Sequence, residues 1–131
     1  MLGVDTNILV RFLVRDDEAQ FEKARRLIKR EVTAGRRVFV SQLVLLETAW
    51  VLRSRYDLPK DQIVTTISSL LDASDVRFED EPAIEEALFT WKDAPADFAD
   101  CLIGAKNRRL GCRATATFDM KAAKLPGFIA A

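Results

Sequence analysis

The chain has 131 residues, of which 49% are hydrophobic and 31% are charged, so we expect residues 1–131 to form one soluble domain with its own core. Twenty Lys and Arg balance twenty Asp and Glu, and net charge therefore identifies no partner. The absence of histidine excludes His-based acid–base catalysis, His-activated nucleophiles and His-ligated zinc.

The chain begins with an apolar run, Met1–Val4, which predicts a buried strand. Thr6 or Asn7 is then the predicted N-cap of the first helix. Periodicity, caps and prolines predict further helices at Glu18–Val32, Ser41–Tyr56, Lys60–Ala73, Pro82–Lys92 and Ala96–Leu110. Further strands are predicted at Arg37–Val40, Val76–Glu79, Arg113–Phe118 and Phe128–Ile129.

Strands that alternate with helices predict an α/β fold whose parallel sheet is covered on both faces. Ligand sites in such sheets lie beyond the carboxyl ends of the strands. Asp5 and Asp119 each follow a predicted strand, so both are candidate site residues. A capping role for Asp5 and a turn role for Asp119 are the alternatives.

Glu47 is a third candidate, because the residues three and four positions away on its helix are apolar: Leu43, Val44, Trp50 and Val51. We expect a buried carboxylate there, which needs a proton, a metal ion or a partner. A structural ion pair to an arginine is the alternative.

Asp97 and Asp100 lie three residues apart near the start of a predicted helix, where their like charges repel. A cation would relieve that repulsion. In the alternative, Asp97 is the N-cap and Asp100 lies at the third helical position, both favoured by the helix dipole. Acids from four parts of the chain together predict a site for hard cations and phosphodiester hydrolysis.

The same residues carry a resemblance to PIN-domain ribonucleases, specifically the VapC-type toxins of bacterial type II toxin–antitoxin systems. The resemblance rests on four blocks in order: Asp5–Arg11, Leu46–Leu52, Ala96–Ile103 and Thr117–Asp119. It implies a three-layer α/β/α domain with a central, mainly parallel sheet, an RNA substrate, a cognate antitoxin protein and a homodimer.

Position by position, the resemblance implies four acids that are catalytic and bind Mg²⁺ or Mn²⁺: Asp5, Glu47, Asp100 and Asp119. Asp97 is an accessory metal ligand, and the polar supports are Thr6, Asn7 and Thr117. The expected reaction is attack on phosphorus by a metal-activated water, which leaves a 5′-phosphate and a 3′-hydroxyl. The candidate RNA-holding cations are Arg11, Arg15, Lys106, Arg108 and Lys121.

Other function classes stay open at this point. A phospho-accepting regulatory module matches the α/β pattern, but receiver-like domains need an adjacent acid pair after the first strand, whereas Thr6 and Asn7 follow Asp5. A protein-binding module with purely structural acids and a DNA-cleaving enzyme are the remaining alternatives.

The sequence also predicts a cytoplasmic location. Cys101 and Cys112 lack the spacing of a redox or zinc motif and suit a reducing compartment. Asp5 and Arg11 interrupt any signal peptide, and no apolar stretch approaches the roughly 18 residues of a membrane span, so no membrane association is expected.

Overall fold

A computed structural model describes residues 1–131, in which six helices and five short strands follow one another. The chain divides into two units, Met1–Glu79 and Asp80–Ala131, called unit 1 and unit 2 below. None of the helices combines the length and the apolar character needed to cross a membrane.

Unit 1 contains three strands and four helices. In chain order they are β1 (Leu2–Gly3), α1 (Thr6–Leu13), α2 (Glu18–Thr33), β2 (Val38–Val40), α3 (Gln42–Ser54), α4 (Lys60–Asp72) and β3 (Val76–Phe78). The strands form a parallel sheet in the order β1-β2-β3. The central strand is the most buried, since Val38 and Val40 are almost fully enclosed.

Two helices supply much of the core of unit 1. The buried face of α3 consists of Leu45, Thr48, Ala49 and Leu52, and that of α4 of Ile63, Ile67 and Leu70. Both sets recur every three or four residues, which is the spacing of one helix face. Ser41 caps α3 by accepting a hydrogen bond from the Val44 amide at 3.2 Å, as predicted.

Unit 2 contains α5 (Glu81–Asp93), α6 (Phe98–Arg109), β4 (Thr115–Thr117) and β5 (Phe128–Ala130), with a single 3-10 turn at Ala122–Lys124. Helix α5 packs on α6, and the Trp91 and Phe98 rings lie 5.2 Å apart. Strands β4 and β5 form a parallel pair. Gly104 lets α6 approach β5 closely, because a Cβ atom there would strike the Phe128 ring.

The predicted α/β class with parallel strands is confirmed, and most helix bounds agree within two residues. The sheet differs from the prediction of a single central one, because each unit pairs its own strands. The prediction of Thr6 or Asn7 as the cap of the first helix is wrong, and the capping role given as the alternative for Asp5 is confirmed. Asp5 is the N-cap and accepts a hydrogen bond from the Ile8 amide at 3.3 Å, while Thr6 already lies inside the helix. That residues 1–131 form one domain stays a prediction.

Candidate active site

The first two acids both belong to unit 1. Asp5 follows β1 and caps α1, and Glu47 lies in the middle of α3. The buried Thr6 hydroxyl, at the first position of α1, donates a hydrogen bond to the Glu47 carboxylate. This contact explains why Thr6 does not cap the helix, because its hydroxyl is hydrogen-bonded to Glu47.

The face of α3 that carries Glu47 is not buried, so that prediction is wrong. Glu47 is exposed, and its neighbours Leu43 and Trp50 are 80% and 61% exposed. The side chains that enter the core belong to another face of α3. The partner of Glu47 is the Thr6 hydroxyl, and the alternative of an arginine ion pair is not realised.

The other three acids belong to unit 2. Asp97 is the N-cap of α6 by backbone position, although its side chain makes no capping hydrogen bond, and Asp100 lies in the first turn. Asp119 follows β4 and accepts hydrogen bonds from the Lys121 amide at 2.8 Å and the Ala122 amide at 2.9 Å. These bonds fix Asp119 in a tight turn.

Thr117 supports this turn. Its hydroxyl accepts a hydrogen bond from the Asp119 amide at 3.0 Å. Asn7, the third predicted support, is exposed on α1, and its side chain makes no hydrogen bond within the chain. The structure therefore shows a supporting contact for Thr6 and Thr117, and none for Asn7.

Asp100 is the electrostatically unusual member of the set. Partial burial raises its pKa, and the negative charges of Asp119 and Asp97 raise it further, against a weaker opposing hydrogen bond from the Asp97 backbone. These three acids are therefore close enough to interact, as predicted. A cation near Asp100 would remove the penalty that its neighbours impose.

The donor set fits a hard divalent cation. All five candidates offer carboxylate oxygens, the ligands that Mg²⁺ and Mn²⁺ prefer, and the chain has no histidine to favour zinc. The structure does not, however, arrange any three acidic or cysteine side chains as a preformed metal-holding group.

Four of the five cations predicted to hold RNA already have acidic partners. The ion pairs are Arg11 with Asp16, Arg15 with Glu18, Lys106 with Asp80 and Arg108 with Glu86. Lys121 keeps its ammonium group unpaired. Sequence reasoning overlooked the basic residues of α2, although their density between positions 22 and 37 is visible in the sequence.

A model of the PIN domain family matches residues 3–127 and thus spans both units. The chain belongs to the PIN domain family. Family membership confirms the predicted resemblance and the α/β class.

This PIN domain is similar to the VapC ribonuclease of Aquifex aeolicus (strain VF5), with 25% identity over 122 residues that cover 93% of this chain and 90% of the relative. Among solved structures it is similar to the Mycobacterium tuberculosis toxin VapC20, described as cleaving the sarcin-ricin loop. That likeness covers 94% of this chain and 93% of the other at 21% identity, with a TM-score of 0.44.

Proposed function

We propose that this PIN domain is a metal-dependent endoribonuclease and the toxin of a toxin–antitoxin pair. The observation that carries the proposal is the environment of Asp100. Its carboxylate is partly buried and faces the charges of Asp97 and Asp119, an arrangement that suits cation binding. The PIN family match and the similarity to a protein named VapC ribonuclease support the same function.

The proposed catalytic acids are Asp5, Glu47, Asp100 and Asp119. All four also bind Mg²⁺ or Mn²⁺, with Asp97 as a further ligand. When bound, the metal supplies Lewis acidity that activates water for attack and stabilises the leaving oxygen. The expected products carry a 5′-phosphate and a 3′-hydroxyl.

Hydrogen bonds within the chain orient two of these acids, Glu47 and Asp119. The Thr6 hydroxyl occupies one oxygen of Glu47 and leaves the other free to accept. Two backbone amides hold one Asp119 oxygen and so restrict the rotation of its carboxylate. Burial and the charges of Asp119 and Asp97 raise the pKa of Asp100, so its carboxylate binds a proton more readily than a free aspartate does.

The proposed biological setting follows from the resemblance to VapC-type toxins. We expect a cognate antitoxin protein, a homodimer and a cytoplasmic location, with RNA rather than DNA as the substrate. A gene for a small antitoxin beside the gene for this chain would be the simplest supporting observation.

The decisive experiment is cleavage of total RNA by the purified protein in Mg²⁺ or Mn²⁺ against EDTA, alongside Asp5→Ala. We expect cleavage by the wild type with metal only, and none by the variant. Metal should also raise the thermal midpoint of the wild type more than that of Asp100→Asn. If the RNA stays intact and added metal does not change the thermal midpoint, the protein would instead be a regulatory or protein-binding module.

A further inference from the structure

Helix α2 and the turn after it concentrate positive charge in a chain whose net charge is zero. Residues 22–37 contain seven Lys and Arg but only two Glu, an excess of five positive charges. The basic residues are Lys23, Arg25, Arg26, Lys29, Arg30, Arg36 and Arg37. Such local concentration creates a positive potential that attracts polyanions.

Most of this charge is not neutralised within the chain. Glu22 is shared, at 3.0 Å from Arg25 and 4.0 Å from Arg26, so one carboxylate faces two guanidinium groups. Lys29 and Arg30 are exposed and make no ion pair at all. Their charges therefore remain available to an external anion.

The cations form a surface with a defined shape. Arg26, Lys29, Arg30 and Thr33 recur at the spacing of one helix face. With Arg25 and Ala34 they line an open depression of about 430 Å³. We call this surface the α2 basic face. All of its lining residues belong to α2 or its C-terminal cap, so it presents several cationic side chains along one open surface of the helix.

Packing does not require these charges. Helix α2 is anchored by Ala24, its single buried residue, and by Phe21, whose ring stacks on Phe12 at 6.2 Å. Cations near a helix C-terminus also complement the helix dipole, but this accounts only for Arg30, the one basic residue in the last turn. Arg25, Arg26 and Arg36 take part in ion pairs with Glu22 and Glu31, whereas Lys29 has neither an ion pair nor a place in the last turn.

We propose that the α2 basic face binds the phosphate backbone of the RNA substrate. This inference rests on the proposed ribonuclease function. The composition of the face favours RNA over an acidic protein, because the hot spots of protein interfaces combine Arg with buried aromatic anchors. The α2 basic face has Arg but no aromatic residue: its lining is Arg25, Arg26, Lys29, Arg30, Thr33 and Ala34.

The test measures salt-dependent RNA binding by filter retention, in an Asp100→Asn background that keeps the RNA intact. The test variant is Lys29→Gln/Arg30→Gln, and the control, Arg55→Gln/Arg77→Gln, removes the same charge from other exposed positions of unit 1. A single-stranded RNA and a DNA of the same sequence are titrated between 50 and 200 mM salt.

Each phosphate contact to a single strand contributes a slope of about 0.7 to the dependence of log affinity on log salt. Losing two contacts should therefore reduce the slope by about 1.4 and weaken RNA binding about 25-fold at 100 mM salt. The control should bind like the parent. Equal affinity for RNA and DNA would show that the face contacts phosphate groups only. Weaker binding of the DNA would show that the 2′-hydroxyl of RNA also contributes.

Equal loss in the test and control variants, or loss in neither, would overturn the α2 basic face as a binding site. This outcome is distinct from failure of the ribonuclease proposal, which is measured as cleavage by the protein with an intact Asp100. Circular dichroism of both double variants checks the fold, which glutamine should preserve because all four positions are exposed.

Discussion

Asp5 and Glu47 in unit 1 lie in an environment opposite to that of Asp100 in unit 2. In unit 1 the protein provides donors: the Ile8 amide bonds to Asp5, and the Thr6 hydroxyl bonds to Glu47. In unit 2 the environment of Asp100 is dominated by burial and by two negative neighbours, which raise its pKa. Hydrogen bonds within the chain stabilise the carboxylates of Asp5 and Glu47, whereas a nearby cation would be needed to stabilise the charged form of Asp100.

This difference teaches that sequence position alone does not define the role of an acid. Asp5 follows a strand and opens a helix, and the fold gives it a structural task as the N-cap of α1. Asp100 lies in a first helical turn, where the dipole favours a carboxylate, yet its pKa is raised. Variants of these two residues should therefore separate catalysis from stability.

The largest expected effect is on cleavage. Asp5→Asn and Asp100→Asn should each lower RNA cleavage at least about 100-fold, the scale of losing a positioned catalytic group. Gel assays at saturating Mg²⁺ would measure the rates. Full activity of Asp5→Asn beside an inactive Asp100→Asn would contradict a catalytic role for Asp5 and leave it only as the cap of α1.

A smaller loss is expected when the support of Glu47 is removed. Thr6→Val keeps the shape of the side chain but deletes the hydroxyl that donates to Glu47. Loss of such an orienting contact typically lowers metal affinity or activity 10–100-fold, and we expect about tenfold. Thr6→Ser is the matched control and should retain most of the activity. Similar rates for valine and serine would show that Glu47 needs no orientation.

Stability should change in opposite directions in the two units. Asp5→Ala removes the cap of α1 and should cost about 1 kcal/mol. Asp100→Asn removes a repelled charge and should stabilise the metal-free protein by about 0.5–1 kcal/mol. Urea unfolding in EDTA measures both. A destabilised Asp100→Asn would mean that the Asp97 backbone bond outweighs the repulsion.

The smallest expected effect is the pH dependence of that stabilisation. The folded-state pKa of Asp100 lies above its ordinary value of 3.8, so the native state binds the proton more tightly than the unfolded state. The ionised carboxylate of Asp100 lowers the stability of the folded state. This loss of stability is complete above the raised pKa and disappears as the pH falls to 3.8. The advantage of Asp100→Asn over wild type should shrink accordingly in urea titrations from pH 7 to pH 4.

Asp16 provides a control of opposite sign for that experiment. The Tyr56 hydroxyl, which donates to Asp16 at 2.8 Å, lowers the pKa of this acid; burial opposes the shift and Arg11 assists it. Ionised Asp16 therefore stabilises the folded state. This contribution is present above pH 3.8 and is lost as the pH falls through the folded-state pKa of Asp16. Asp16→Asn should therefore be less stable than wild type at pH 7, with a difference that also shrinks in acid.

Much of the fold followed from sequence because local signals agreed with one another. Ser41 is a strong N-cap residue directly before an apolar run, and helix α2 has clear periodicity from Glu18 onward. The acids at the strand ends were predicted from the same elements. The family motifs added the roles, which spacing alone does not determine.

The errors arose where local signals were ambiguous. Helix α3 has apolar residues on several faces, so periodicity could not show that Leu45 enters the core while Leu43 and Trp50 remain in solvent. The cap of α1 depended on a distant partner, since the Thr6 hydroxyl bonds to Glu47. Such long-range choices are set by tertiary contacts that a single sequence does not display.

The two tryptophans lie in contrasting environments, one in each unit. Trp50 in unit 1 is 61% exposed, whereas Trp91 in unit 2 is 5% exposed and packs on Phe98. Hydrated indoles fluoresce at longer wavelengths than enclosed ones, so a single emission spectrum contains a separate signal from each unit. Trp50→Phe would leave the signal of unit 2 alone. Unfolding curves that coincide at both wavelengths would show that residues 1–131 melt as one cooperative domain.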